Sequence, residues 1–158
     1  MIIHNDKYWD RYYQKKKKNL PSNFVKFIKK KILKKKDIVL DVATGNGRDS
    51  FFLSKHIKFV YGIDKSKVAI KLNNQKVEYL KLRNISFKSF SSQQVKLFKN
   101  KITFIYARFF IHAINEKMEN RFLNDLKKYF GKKITDGLEF RTTEDMLINK
   151  GKKIGRNE

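Results

Sequence analysis

From Asp37 onward, short apolar runs rich in β-branched residues alternate with segments of helical periodicity. Residues Ile38–Val42 and 59–63 are typical of buried strands, and a helix follows each of them. A weaker strand at 85–87, a strong one at 102–107, a helix capped by Asn115 and a last strand ending near 138–140 continue the alternation. This pattern indicates βαβ units. It predicts an α/β fold with a Rossmann-like, mostly parallel sheet of about five strands and helices on both faces.

The first 36 residues differ from the rest in charge, with 13 basic and 2 acidic side chains. Pro21 and Ser22 predict the start of a helix whose apolar face comprises Phe24, Phe27, Ile28 and Ile32. No linker or repeat divides the chain. The sequence therefore predicts one domain over 1–158, made of a basic helical segment at 1–36 and a Rossmann-like core at 37–158.

The composition limits the partners. Lys and Arg number 38 against 15 Asp and Glu, a net charge of +23 that attracts polyanions. Because 31 of the 38 are lysine rather than the bidentate arginine, coding bias is the favoured explanation and nucleic acid the less favoured partner. The chain has no cysteine and 3 histidines, so we expect no metal site. No apolar run reaches the length of a membrane span, so we expect a cytoplasmic protein without membrane contact.

A glycine-containing turn follows the first predicted strand, at the end where parallel sheets bind ligands. Gly45 and Gly47 allow the backbone to turn sharply and to approach a ligand closely. Asp64 ends the second strand, 19 positions after Gly45. A carboxylate at this position suits a ribose diol, because it accepts hydrogen bonds from both hydroxyls.

Dinucleotide-binding proteins place a pyrophosphate at such a turn and need a third glycine three positions after the second. This chain has Ser50 there, and Asp49 precedes it. A carboxylate at the start of the helix would repel a pyrophosphate but suits a ligand with an amino group and a sulfonium. The turn therefore favours a cationic nucleoside ligand over a dinucleotide.

At this point the sequence resembles the class I S-adenosylmethionine-dependent methyltransferases. VLDVATGNGRDS is similar to their first motif, and VYGIDKS is similar to their second. YWDRYY, PSNFVKF, YARFFIHAI and LEFRTTED resemble segments of a bacterial small-molecule branch of that family. Together these segments extend from residue 8 to about 158.

The resemblance implies roles for individual residues. Asp64 would hold the ribose hydroxyls, and Phe90 would stack on the adenine, although Ser89 and Ser91 stand beside it where an acid is common. His112 and Arg108 would act on the substrate side, with His112 as a general base. The remaining cofactor-binding candidates are Asp41, Ala43, Thr44, Gly45, Gly47, Lys65, Ser66 and Tyr106.

Several of these residues have plainer alternative roles. Arg108 also suits a surface ion pair, and His112 also suits a histidine packed under the last helix. Trp9, Tyr12 and Tyr13 suit either a lid over the cofactor or a staple between the N-terminal helix and the sheet.

The resemblance implies S-adenosylmethionine as cofactor and methyl transfer as the reaction. The sequence lacks the Asn/Asp-Pro-Pro-Tyr box of base-amino methyltransferases, since Pro21 is its only proline, and it has no cysteine for cytosine methylation. We therefore expect a small-molecule acceptor, with a hydroxyl of a sugar or metabolite favoured. The alternative is a basic Rossmann-like protein that binds nucleic acid or a partner chain and has a vestigial cofactor site.

The C-terminal region is short for this family. Asp136 and Gly137 interrupt the last apolar run, which predicts a turn or bulge, and 18 residues follow Phe140. We therefore expect a shortened domain that lacks the usual antiparallel strand pair after the fifth strand. The exposed fifth-strand edge would then be covered by a second copy or a partner chain.

Overall fold

A computed structural model of the chain describes residues 10–13, 20–131 and 134–140, without the side chain of His112. Residues 10–13 are helical. The further helices are α1 (Asn23–Lys31), α2 (Arg48–Ser54), α3 (Lys67–Tyr79) and α4 (Glu116–Tyr129), and 3₁₀ helices span Ser92–Phe98 and Ile111–Ala113. The strands are β1 (Ile38–Val42), β2 (Phe59–Asp64), β3 (Ile85–Ser89), β4 (Phe104–Arg108) and β5 (Thr135–Glu139).

The five strands form one parallel sheet in the order β3-β2-β1-β4-β5. The chain runs from β1 outward to β3 and then crosses back to β4 on the other side of β1. The strand order therefore reverses between β1 and β4, and the crevice at their carboxyl ends is where such sheets bind ligands. The predicted Rossmann-like α/β fold is confirmed.

The sheet has an apolar cluster on each face. The first packs against Val25 and Ile28 of α1 and Leu53 of α2. The second packs against Phe122 of α4 and Phe98 of the first 3₁₀ helix. This confirms the predicted helices on both faces and makes the sheet a rigid base for the loops at its edge. No helix in the described part of the chain is long and apolar enough to cross a membrane.

Helix α1 begins as predicted but buries a different face. The Ser22 hydroxyl accepts a hydrogen bond from the Val25 amide, so Ser22 is the N-cap. Val25 and Ile28 are buried, whereas the side chain of Phe27 is 53% exposed. The predicted apolar face is therefore wrong at Phe27 and Ile32, which are exposed, and it omits Val25, which is buried, because α1 ends at Lys31.

The prediction of a turn at Asp136 and Gly137 is also wrong. Both residues lie inside β5 and pair regularly with Ile105 and Tyr106 of β4. A Cβ atom at Gly137 would lie 2.9 Å from the Phe104 ring, so the glycine makes room for a core aromatic. The predicted absence of an antiparallel strand pair concerns residues 141–158, which lie outside the described residues.

Candidate cofactor site

The sequence predicted a sharp backbone turn after β1, and the structure shows a left-handed backbone there. Gly45 and Gly47 have φ angles of 55° and 69°, and Ala43 adopts 58°. The Asn73 side chain in α3 donates a hydrogen bond to the Gly45 carbonyl (2.8 Å). Sequence reasoning missed Asn73, whose only signal is a polar residue at a buried position of a helix. Helix α3 therefore holds the turn in place through this hydrogen bond.

Asp64 lies against this turn, as the spacing of the two motifs predicted. Its carboxylate accepts hydrogen bonds from the amides of Gly45 and Ser66, both at 2.8 Å. Burial raises the pKa of Asp64, and these amide hydrogen bonds oppose that rise. Each carboxylate oxygen has two lone pairs, so the group can still accept hydrogen bonds from a ligand.

Asp41 lies at the base of the same crevice and is 3% exposed. It accepts hydrogen bonds from the hydroxyls of Thr44 (2.9 Å) and Ser50 (2.5 Å). Burial raises the pKa of Asp41 to about 7, although these hydrogen bonds favour its charged form. The structure thus brings Asp41 and Thr44 together with Gly45 and Asp64, four of the predicted cofactor-binding residues.

Asp49 and Tyr106 form a separate buried network. Asp49 accepts hydrogen bonds from the Ser22 amide (2.8 Å), the Ser22 hydroxyl (2.8 Å) and the Tyr106 hydroxyl (2.7 Å). Phe24 stacks on the Tyr106 ring at 5.5 Å between centroids. This network ties the start of α1 to α2 and β4, and it provides a structural role for both residues. Cofactor binding by Tyr106 stays a prediction.

A Tyr106→Phe substitution separates these two roles. If the hydroxyl only supports the network, the variant should lose about 1 kcal/mol of unfolding free energy, and its affinity for the cofactor should stay unchanged. Urea unfolding and binding calorimetry on the same sample measure both quantities. A large loss of affinity with unchanged stability would instead place Tyr106 in the cofactor site.

The substrate-side candidates follow β4. The Arg108 guanidinium forms an ion pair with Glu139 of β5 and lies 3.9 Å from the centroid of the Phe109 ring. The alternative role of Arg108 in an ion pair is therefore realised, at the carboxyl end of the sheet. His112 belongs to the 3₁₀ helix Ile111–Ala113, and its side chain lies outside the described part of the structure.

The candidates beside the predicted ribose and adenine positions differ in burial. Lys65 is exposed, whereas Ser66 is buried and caps α3 by accepting a hydrogen bond from the Ala69 amide. Phe90 is half-buried, with its ring centroid 6.5 Å from that of Phe98. Within the described ranges, no three His, Asp or Glu side chains are placed to hold a metal ion.

The sequence matches the family described as "Methyltransferase domain" over residues 39–131, a range that runs from β1 to α4 and includes Asp41, Gly45 and Asp64. The chain belongs to this family. The predicted recognition of an S-adenosylmethionine-dependent methyltransferase, with S-adenosylmethionine as the cofactor of the family, is confirmed. No curated protein is a significant match to the sequence.

Solved structures agree with the fold. A SAM dependent methyltransferase from Aquifex aeolicus is 27% identical with a TM-score of 0.62 over 80% of this chain. YcgJ from Bacillus subtilis (14% identity, TM-score 0.64) is matched over 80% of this chain. Phosphoethanolamine N-methyltransferase 1 from Haemonchus contortus, solved with phosphoethanolamine and S-adenosylhomocysteine, is 16% identical with a TM-score of 0.71 over 87% of this chain. This chain covers 68%, 54% and 32% of these three proteins, respectively.

Proposed function

We propose that this chain binds S-adenosylmethionine at the turn after β1 and transfers its methyl group to a small molecule. The observation that carries this proposal is the 2.8 Å hydrogen bond from the Gly45 amide to Asp64. It joins the glycine turn after β1, the strand at which the strand order reverses, to a carboxylate at the end of the neighbouring strand β2, which is the arrangement that a ribose-containing ligand requires.

The charges around the turn fit this ligand. Asp41 and Asp64 lie beside Gly45, and a pyrophosphate there would meet two carboxylates. A ligand with an ammonium group, a sulfonium and a ribose diol would instead compensate the buried charge of Asp41 and use the open lone pairs of Asp64. When bound, S-adenosylmethionine supplies a methyl group on a positively charged sulfur, which a nucleophile displaces in line.

The protein's task in such a reaction is alignment and the exclusion of water. In our proposal Asp64 holds the ribose hydroxyls, and Asp41 lies toward the amino end of the ligand. Arg108 orients the acceptor from the end of β4, and an imidazole nitrogen of His112 takes the proton of an acceptor hydroxyl.

An Arg108→Ala variant tests whether Arg108 contacts the acceptor and not the cofactor. The variant should bind S-adenosylmethionine within about threefold of the wild type but turn over several-fold more slowly, because in our proposal Arg108 donates charge-assisted hydrogen bonds to the acceptor and none to the cofactor. Glu139→Gln is the matched control, since it removes the ion-pair partner and keeps the guanidinium. A loss of cofactor binding with normal turnover per bound cofactor would refute this assignment.

The size of the acceptor is tested with methyl-labelled S-adenosylmethionine and a cell extract divided by filtration into small and large molecules. Label transferred in the small-molecule fraction supports the proposal, and label in RNA or protein only contradicts it.

The net charge of +23 keeps nucleic acid as a second candidate partner. Binding to RNA would weaken steeply with rising salt, whereas cofactor binding in a pocket would change little.

A further inference from the structure

Helix α3 carries a buried polar side chain among its apolar residues. Asn73 is 3% exposed and lies on the face of α3 that also buries Ala69 and Ile70. Burying a carboxamide costs free energy unless the group is hydrogen-bonded, so an apolar residue would be less costly at this position. An asparagine here is therefore favoured only where its hydrogen bonds are needed.

The carboxamide of Asn73 contacts both glycines of the turn after β1. Its Nδ2 atom donates a hydrogen bond to the Gly45 carbonyl (2.8 Å). A Cβ atom built at Gly47 would lie 2.9 Å from its Oδ1 atom, so the other end of the carboxamide lies against the Gly47 backbone. The side chain therefore spans the two glycines whose left-handed backbone forms the turn.

Asn73 and Asp64 together restrain the backbone on each side of Gly45. The Gly45 amide donates to Asp64, and the Gly45 carbonyl accepts from Asn73. These groups belong to the two peptide units that meet at the Gly45 Cα atom, so the two hydrogen bonds restrain both its φ and its ψ angle. Glycine has the most backbone freedom to lose, and a turn that is already restrained costs a ligand less to order.

The donor on the Gly45 carbonyl is uncharged, and its surroundings are acidic. Asp64 accepts from the Gly45 amide, Asp41 accepts from the neighbouring Thr44 hydroxyl, and Asp49 adds negative charge near Asp41. A lysine in place of the asparagine could also donate to the carbonyl, but it would cancel this negative charge and repel a cationic ligand. A carboxamide restrains the turn and leaves the site negative.

We propose that Asn73 is a positioning residue for the cofactor: it holds the Gly45 carbonyl so that the glycine turn and Asp64 form one preorganised unit, and it does so without adding a charge. This inference rests on the proposed function. It assigns a part in cofactor binding to a residue of α3 that lies outside both of the segments that resemble the first and second methyltransferase motifs.

Calorimetry with S-adenosylmethionine tests this role in two neighbouring variants. Asn73→Ala should bind the ligand about fivefold to tenfold more weakly, because the turn loses a buried hydrogen bond. Asn74→Ala is the matched control: Asn74 is half-buried on the same helix and donates to the Phe87 carbonyl of β3 (3.4 Å), so its loss should leave the affinity unchanged. Both are measured well below the midpoint of thermal unfolding, where a less stable variant is still folded and lower stability alone does not weaken binding. Wild-type affinity in Asn73→Ala would overturn the role.

An Asn73→Asp variant separates hydrogen bonding from charge, because it keeps the size of the side chain. The new carboxyl group can donate to the Gly45 carbonyl when it is protonated but not when it is ionised. Burial and the carboxylates of Asp41 and Asp64 should raise its pKa, whereas Lys76, one turn along α3, opposes that rise.

The affinity of Asn73→Asp should therefore depend on pH. At about pH 8 the variant should bind S-adenosylmethionine about tenfold more weakly than the wild type, although it adds a negative charge, and the difference should shrink as the pH falls to about 5.5. If charge alone governed binding, the added carboxylate would strengthen it. Tighter or unchanged binding at pH 8 would overturn the proposal.

Hydrogen exchange provides a readout that needs no ligand. The Gly45 amide should exchange several-fold faster in Asn73→Ala than in the wild type or in Asn74→Ala, because its peptide units are less restrained. Unchanged exchange would also overturn the proposal. If the wild type does not bind S-adenosylmethionine, the proposed function fails together with this role, and that result is seen before any variant is made. If the wild type binds it and Asn73→Ala binds it equally well, only the role of Asn73 fails.

Discussion

An Asp64→Ala variant is expected to bind S-adenosylmethionine at least about tenfold more weakly than the wild type. The side chain would lose two charge-assisted hydrogen bonds to the ribose, each worth about 1.5–3 kcal/mol. The Gly45 and Ser66 amides would also lose the hydrogen bonds that they now donate to the Asp64 carboxylate. The turn itself would then be less well ordered for the ligand, which adds to the loss.

Two controls make this result interpretable. Asp136→Ala removes an exposed aspartate from β5 and should leave the affinity unchanged. Circular dichroism and thermal unfolding of Asp64→Ala establish that it is folded. Wild-type affinity in a folded Asp64→Ala protein would contradict the assignment of Asp64 to the ribose.

The second large effect concerns Asp41 and pH. Because its pKa in the folded state, about 7, lies above its ordinary 3.8, the folded protein holds this proton more tightly than the unfolded chain. The resulting stabilisation is fully present below 3.8 and is lost as pH rises through about 7. Relative to Asp41→Asn, the wild type should lose about 2 kcal/mol of unfolding free energy between about pH 5.5 and about pH 8.

Asp41→Asn is the matched reference for this measurement because it keeps the size of the side chain and does not titrate. Urea unfolding of both proteins at each pH provides the difference. If the wild type and the variant show the same pH dependence, Asp41 does not carry the raised pKa.

Cofactor binding should depend on pH in the opposite sense. A cationic ligand binds the ionised carboxylate, so the affinity of the wild type should rise about tenfold from about pH 6 to about pH 8. Asp41→Asn should flatten this dependence. An affinity that falls over the same interval would place Asp41 away from the positive charges of the ligand.

The sequence predicted the fold well where its pattern was local. Strand β1 begins and ends where the apolar run does, and the caps of α1 and α4 are the predicted Ser22 and Asn115. Predictions that depended on contacts between residues far apart in the sequence were less accurate. Whether Gly137 breaks a strand or makes room for the Phe104 ring depends on a contact between β4 and β5 that no local pattern contains.

The same distinction applies to the site. The glycine turn and Asp64 follow from spacing and the rule for parallel sheets, and they lie together in the structure. The partners of Asp49 were not predictable, because Ser22 is 27 residues away in the sequence. The position of Tyr13 over Gly45 likewise arises from a long-range contact that aromatic composition alone does not specify.

Isothermal titration calorimetry of the wild-type chain with S-adenosylmethionine, S-adenosylhomocysteine and a nicotinamide dinucleotide tests the central claim most directly. Two carboxylates beside the glycine turn favour a cationic nucleoside and exclude a pyrophosphate. The account therefore predicts saturable binding of both adenosyl ligands, with S-adenosylmethionine the tighter of the two, and no binding of the dinucleotide. Binding of the dinucleotide alone, or of none of the three ligands, would contradict it.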